Sequence, residues 1–159
     1  MASASRTFLT CCGLVLAACA GLPQHAAYPP AGFTHRVASS DVEVYWNCVR
    51  PDVNRLEVTG IADTPWAGTI RFVEVEAVSV NDRDQTVTSA KAPTQAVVLH
   101  TNEQSPFQIV LPLTGAEARV DLYYQYVPPR GEGFRISGGT PRRFLVHDAC
   151  SPAQHLAHR

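Results

Sequence analysis

An all-β sandwich is predicted by three features of the sequence. Apolar and polar residues alternate from Asp41 onward, turn-forming clusters interrupt that alternation at short intervals, and no 3.6-residue apolar period lasts beyond two turns. The chain has 159 residues, 45% of them hydrophobic and 17% charged, which suits one packed domain and leaves too little for two. Thirteen Lys and Arg against fourteen Asp and Glu give a formal net charge of -1. That balance lacks the basic footprint a nucleic-acid partner requires.

The predicted strands follow in order. Val42, Val44, Trp46 and Cys48 alternate with Glu43, Tyr45, Asn47 and Val49, a half-buried strand that Pro51-Asp52 ends. Leu56, Val58, Gly60 and Ala62 alternate with Glu57, Thr59 and Ile61 before the turn at Asp63-Thr64-Pro65-Trp66-Ala67-Gly68. A long strand covers Thr69 to Val80, with Glu74 and Glu76 on its wet face, Val78 and Val80 continuing their row, and Val73, Val75 and Ala77 on its dry face. After Asn81-Asp82-Arg83-Asp84 come Thr86 to Ala90, Gln95 to His100, Phe107 to Leu111, Arg119 to Tyr126 and Arg143 to Ala149. Seven or eight short strands with regular turns, in residues 37–150, read as an immunoglobulin-like β-sandwich.

The amino end reads as an address. Arg6 precedes the apolar run Phe8-Leu9-Thr10-Cys11-Cys12-Gly13-Leu14-Val15-Leu16-Ala17-Ala18, which is too short for a mature membrane helix and suits a secretory signal over residues 1–18. Its end, Leu16-Ala17-Ala18-Cys19, resembles the bacterial lipobox. The resemblance implies that Cys19 becomes the first mature residue, acylated on thiol and amine. Two acyl chains at about 0.8 kcal/mol per buried methylene already make a durable anchor. In that lipoprotein pattern an Asp after the cysteine favours the inner membrane, so Ala20 implies the periplasmic face of the outer membrane. Residues 19–36 hold three prolines and two glycines with no sustained period, and read as a tether. Residues 151–159 read as a flexible tail, with a short helical pattern that would fray alone.

Removing residues 1–18 also removes Cys11 and Cys12, and lipidation occupies Cys19, so Cys48 and Cys150 remain in an oxidising compartment. An even remainder there reads as a disulfide, although spacing alone leaves open two separate buried thiols. The expected geometry sets the first strand parallel beside the last, so that both cysteines reach one end of the sandwich. The antibody pattern of a bridge between sheets beside a buried strand tryptophan is not expected, because Trp66 lies in a turn.

Three segments, Arg55 to Asp63, Phe72 to Asp82 and Ser105 to Leu111, resemble in their order the FxLYD-type immunoglobulin-like domains of bacterial lipoproteins. The naming motif is replaced by Val78-Ser79-Val80-Asn81-Asp82. The resemblance implies a non-catalytic periplasmic module and carries over no catalytic residue.

Candidate chemistry is sparse. There is no Gly-x-Ser-x-Gly elbow, and Ser137-Gly138-Gly139 has no helix behind it to form a nucleophile turn or a phosphate cradle. His147, Cys150, His155 and His158 are the one grouping with metal-ligand chemistry, and an oxidised Cys150 would remove its thiolate. Glu74 and Glu76 lie two apart on one strand face, a spacing that suits paired carboxylates, yet their place in a wet row reads as ordinary solvation. No catalytic residue, metal or cofactor is therefore assigned. Trp66, Tyr123 and Tyr124 are the candidate partner-binding aromatics, the two tyrosines pointing to opposite faces of one strand. Two functions fit: a lipid-anchored interaction or assembly module for another envelope protein, or a binding protein for a ligand or glycan that uses exposed aromatics.

Overall fold

The computed structural model describes residues 30–65, 68–128 and 140–151. The described residues form nine strands: β1 (His35–Ala38), β2 (Glu43–Asp52), β3 (Arg55–Asp63), β4 (Ile70–Val80), β5 (Thr86–Pro93), β6 (Val98–Leu99), β7 (Gln104–Pro112), β8 (Arg119–Val127) and β9 (Arg142–Val146). Two sheets face each other. The first runs β1-β2-β3-β7, and the second runs β5-β4-β8-β9 with β6 pairing the start of β4. Each strand pair is antiparallel.

Alternation explains the core between them. Val42 just before β2, Val44 and Trp46 of β2, and Leu56, Val58 and Ala62 of β3 meet Val73, Val75 and Ala77 of β4 and Leu122, Tyr124 and Tyr126 of β8. Directly paired residues share a face, so one alternating strand fixes the parity of its neighbours. Gly60 sits in an inward row between Trp46 and Phe107, where a side chain has no room: a Cβ would lie 2.5 Å from the Phe107 Cζ and closer still to the Tyr45 carbonyl oxygen.

Several expectations need correction. The tether does not reach residue 36, because Gly32 and Thr34 already hydrogen-bond Asn47, and His35 and Arg36 belong to β1. β2 ends at Pro51-Asp52 as expected, after a register shift between Val49 and Asp52. The strand expected from Gln95 to His100 shrinks to Val98–Leu99. Gln95 and Ala96 turn instead toward β7, their amides donating to the Pro106 carbonyl (3.0 Å) and the Ser105 hydroxyl (2.8 Å). Val78 and Val80 do not continue a wet row; both are buried, beside a second register shift at Ser79 and Val80.

The disulfide Cys48–Cys150 is present, with its Cα atoms 5.6 Å apart, and it also corrects the expected topology. Cys48 lies on β2 of one sheet, whereas Cys150 follows β9 of the other, so the bridge ties the two sheets together, and among the described residues no strands pair in parallel. A buried tryptophan stands beside it after all. Trp46, on the same face of β2 as Cys48, donates its indole Nε1 to the Ala149 carbonyl (2.8 Å) and stacks on His35 at 5.4 Å. Burial lowers the His35 pKa below its ordinary value, favouring the neutral form of that stacked ring.

Candidate functional site

The outer face of the β5-β4-β8-β9 sheet carries the aromatics and carboxylates that the sequence points to. Tyr123 of β8 faces outward between Glu76 of β4 and Leu145 of β9. Its ring is capped by the Arg143 guanidinium, 4.4 Å from the centroid, so it offers no open flat platform. Arg143 also pairs with Glu76 (2.9 Å), while Glu74 pairs with Lys91 (3.4 Å) and accepts from Gln125 (3.0 Å). These side chains line a shallow groove of about 210 Å³ whose charges satisfy one another. Tyr124 is the correction. Its ring points into the core, stacked on Phe144 at 4.9 Å, and burial pushes its phenol up to about 12, so it presents nothing to a partner.

Cys150 gives its sulfur to Cys48 and has no thiolate for a metal. His147 instead lies 3.3 Å from the buried Asp121. Burial by itself would raise the Asp121 pKa, but hydrogen bonds from Arg119, the Asp148 amide and His147 outweigh it and hold the carboxylate ionised. Cys19, Trp66, Ser137-Gly138-Gly139, His155 and His158 fall outside the described residues.

A second polar cluster lies on the outer face of the other sheet. Glu43 and Asp63 are cross-strand partners, each buried. Arg36 pairs with Glu43 at 2.8 Å, the Tyr45 hydroxyl donates to the same carboxylate, and Gln104 donates to Asp63 at 3.0 Å. Burial raises the Asp63 pKa, hydrogen bonds from Gln104 and Thr64 oppose the rise, and the neighbouring Glu43 charge adds to it. The cluster clamps the short edge strand β1 to its sheet.

The feature that sequence reasoning missed is a bulge in β4. Between Arg71 and Glu74 the register with β8 slips, and Phe72 takes a left-handed backbone (φ 53°). Such a backbone costs a bulky residue about 1–3 kcal/mol and persists only where the surroundings impose it. The side chain gains little burial in return, since Phe72 is 62% exposed. Its amide donates to the Val97 carbonyl (2.9 Å), and Arg71 pairs with Val98. Val97 and Val98 are themselves 57% and 37% exposed, so three large apolar side chains reach water from adjoining backbone. The sequence held one signal of this: the inward residue is even-numbered at Ile70 but odd-numbered from Val73 onward, a parity change that only an inserted residue explains.

No family model and no curated protein matches the chain. Among solved structures it is similar to the crystal structure of the yeast GGA1_GAE domain, with a TM-score of 0.51, covering 72% of this chain and 97% of that one. The fold is an immunoglobulin-like β-sandwich. At 10% identity the likeness is one of architecture alone. In this immunoglobulin-like sandwich three of the seven exposed large apolar residues among those described, Phe72, Val97 and Val98, adjoin at the bulge, whereas Val49, Val53, Val110 and Leu145 lie elsewhere and the outer-face groove is closed by its own ion pairs.

Proposed function

We propose that this chain is a lipid-anchored protein of the bacterial envelope whose sandwich is a non-enzymatic interaction or assembly module. Cys19 is the lipidated residue in this reading, and Ala20 behind it favours the periplasmic face of the outer membrane. The observation that carries the interaction role is the apolar patch at Phe72, Val97 and Val98, together 62%, 57% and 37% exposed on contiguous backbone. Monomeric surfaces rarely gather large apolar side chains without something to cover them. The ligand- or glycan-binding alternative draws less support, because Arg143 caps the outward tyrosine.

Two measurements test the proposal. Metabolic labelling with palmitate should mark the unmodified protein and not Cys19→Ser; an unlabelled native protein would end the anchoring argument. Crosslinking in the native envelope followed by mass spectrometry should return adducts to protein. Adducts confined to glycan would move the function to the alternative class.

A further inference from the structure

We propose that Arg71, Phe72, Val97 and Val98 form a docking site for a protein segment carrying an apolar side chain next to a carboxylate. This rests on the interaction-module reading and names the partner's chemistry. Phe72 is the inserted residue of a bulge, held in a backbone that glycine or asparagine would take with less strain, and its ring is given to solvent. The main chain around it is already bonded, Phe72 to Val97 and Arg71 opposite Val98. Recognition here is therefore by side chains and not by strand addition.

Charge fixes the rest of the ligand. Four arginines lie on strands of this sheet. Arg119 pairs with Asp84 and Asp121, Arg142 with Asp41 and Arg143 with Glu76. Arg71 makes no ion pair or side-chain hydrogen bond among the described residues, and it shares the outer face with Val98, its direct cross-strand partner. A guanidinium with no partner among the described residues, beside an exposed aromatic, suits a carboxylate from outside. A second copy of the chain fits poorly, because two-fold pairing of this patch would bring two Arg71 guanidiniums together. An anionic lipid surface fits poorly as well. The chain has one lysine and a formal net charge of -1, and surface attraction to lipid grows only as basic residues accumulate.

The test is site-specific photocrosslinking of the full chain in native envelopes, with p-benzoylphenylalanine placed at Val98, at Leu145 on β9 and at Val53 near the far end. The Val98 position should give a protein adduct whose crosslinked segment has Asp or Glu within two residues of the captured apolar side chain. Arg71→Glu in that background should lower the adduct about tenfold, the scale of one charge-assisted hydrogen bond. Exchanging the partner's acid for lysine should restore it. Phe72→Gly, which relieves the backbone and so keeps the fold, should lower the adduct comparably. An adduct only to lipid or to a second copy, one indifferent to Arg71→Glu, or a captured segment without a carboxylate overturns the proposal. Protein adducts at Leu145 or Val53 without one at Val98 overturn it while sparing the interaction-module reading. No protein adduct at any of the three positions removes both.

Discussion

Gly60→Ala isolates how tightly the two halves of the first sheet are packed. Its backbone does not require glycine; the space above it does. An alanine Cβ would sit 2.5 and 2.7 Å from two carbons of the Phe107 ring and closer to the Tyr45 carbonyl oxygen. The ring is buried (5% exposed) and the oxygen is main chain, so neither withdraws freely. Displacing a packed ring costs about 1–3 kcal/mol, and loosening the β2–β3 ladder at Tyr45 adds about 1 kcal/mol. Replacing glycine in a strand returns about 0.5–1 kcal/mol through lost chain freedom in the unfolded state. The net expectation is a loss of about 1–3.5 kcal/mol, or roughly 4–14 °C in Tm. Urea denaturation followed by tryptophan fluorescence measures it, and a double-mutant cycle with Phe107→Leu apportions it. Shortening the ring should recover about 1 kcal/mol of the alanine defect, with the carbonyl conflict remaining. A Gly60→Ala protein within about 0.5 kcal/mol of the parent, or a cycle with no coupling, refutes the steric account.

Three further outcomes are expected. The double variant Cys48→Ala/Cys150→Ala, which opens a crosslink spanning 102 residues, should lose about 4–5 kcal/mol to denaturant, and the processed, lipidated parent should take up no alkylating reagent without a reductant. Asp63→Asn keeps an oxygen for Gln104 and removes the charge facing Glu43. The raised Asp63 pKa means that folding favours its protonated form, so its charge penalises stability once pH exceeds the folded pKa. The variant should therefore be more stable at neutral pH, with the gain vanishing as pH falls below the ordinary carboxylate range; a gain that persists in acid contradicts this. Phe72→Gly should fall within about 1 kcal/mol of the parent in thermal melts, because relief of the left-handed backbone offsets lost contacts and added chain freedom. A loss like that of a core aromatic would show the ring to be structural.

Alternation made β2, β3, β7 and β8 legible, because one face of each is core and the other is not. It also set Tyr123 and Tyr124 on opposite faces, but parity alone does not say which face is inside, and the inward ring proved to be Tyr124. β1 escaped notice since its four residues carry no period of their own and are held by their neighbour. The cysteine count and positions fixed a shared end of the sandwich but not a shared sheet. That choice depended on Trp46, which stands two residues from Cys48 and so faces the same way. The patch at Phe72 was hidden because Thr69 to Val80 reads as one continuous strand unless the parity change after Ile70 is noticed. Ion pairing of Arg143 and the lack of a partner for Arg71 among the described residues are tertiary facts with no local signature.

The bridge from Cys48 to Cys150 has a consequence for the order in which the molecule is completed. Synthesis starts at the amino end, so β2 is present long before its covalent partner. The Ala149 carbonyl that receives the Trp46 indole arrives just as late, one residue ahead of Cys150. Until then the first sheet has nothing to latch against at that end, and its tryptophan lacks its acceptor. A chain cut short by eleven residues would forfeit the latch and the acceptor together, so closure of the sandwich at this end waits until the chain is complete through Cys150.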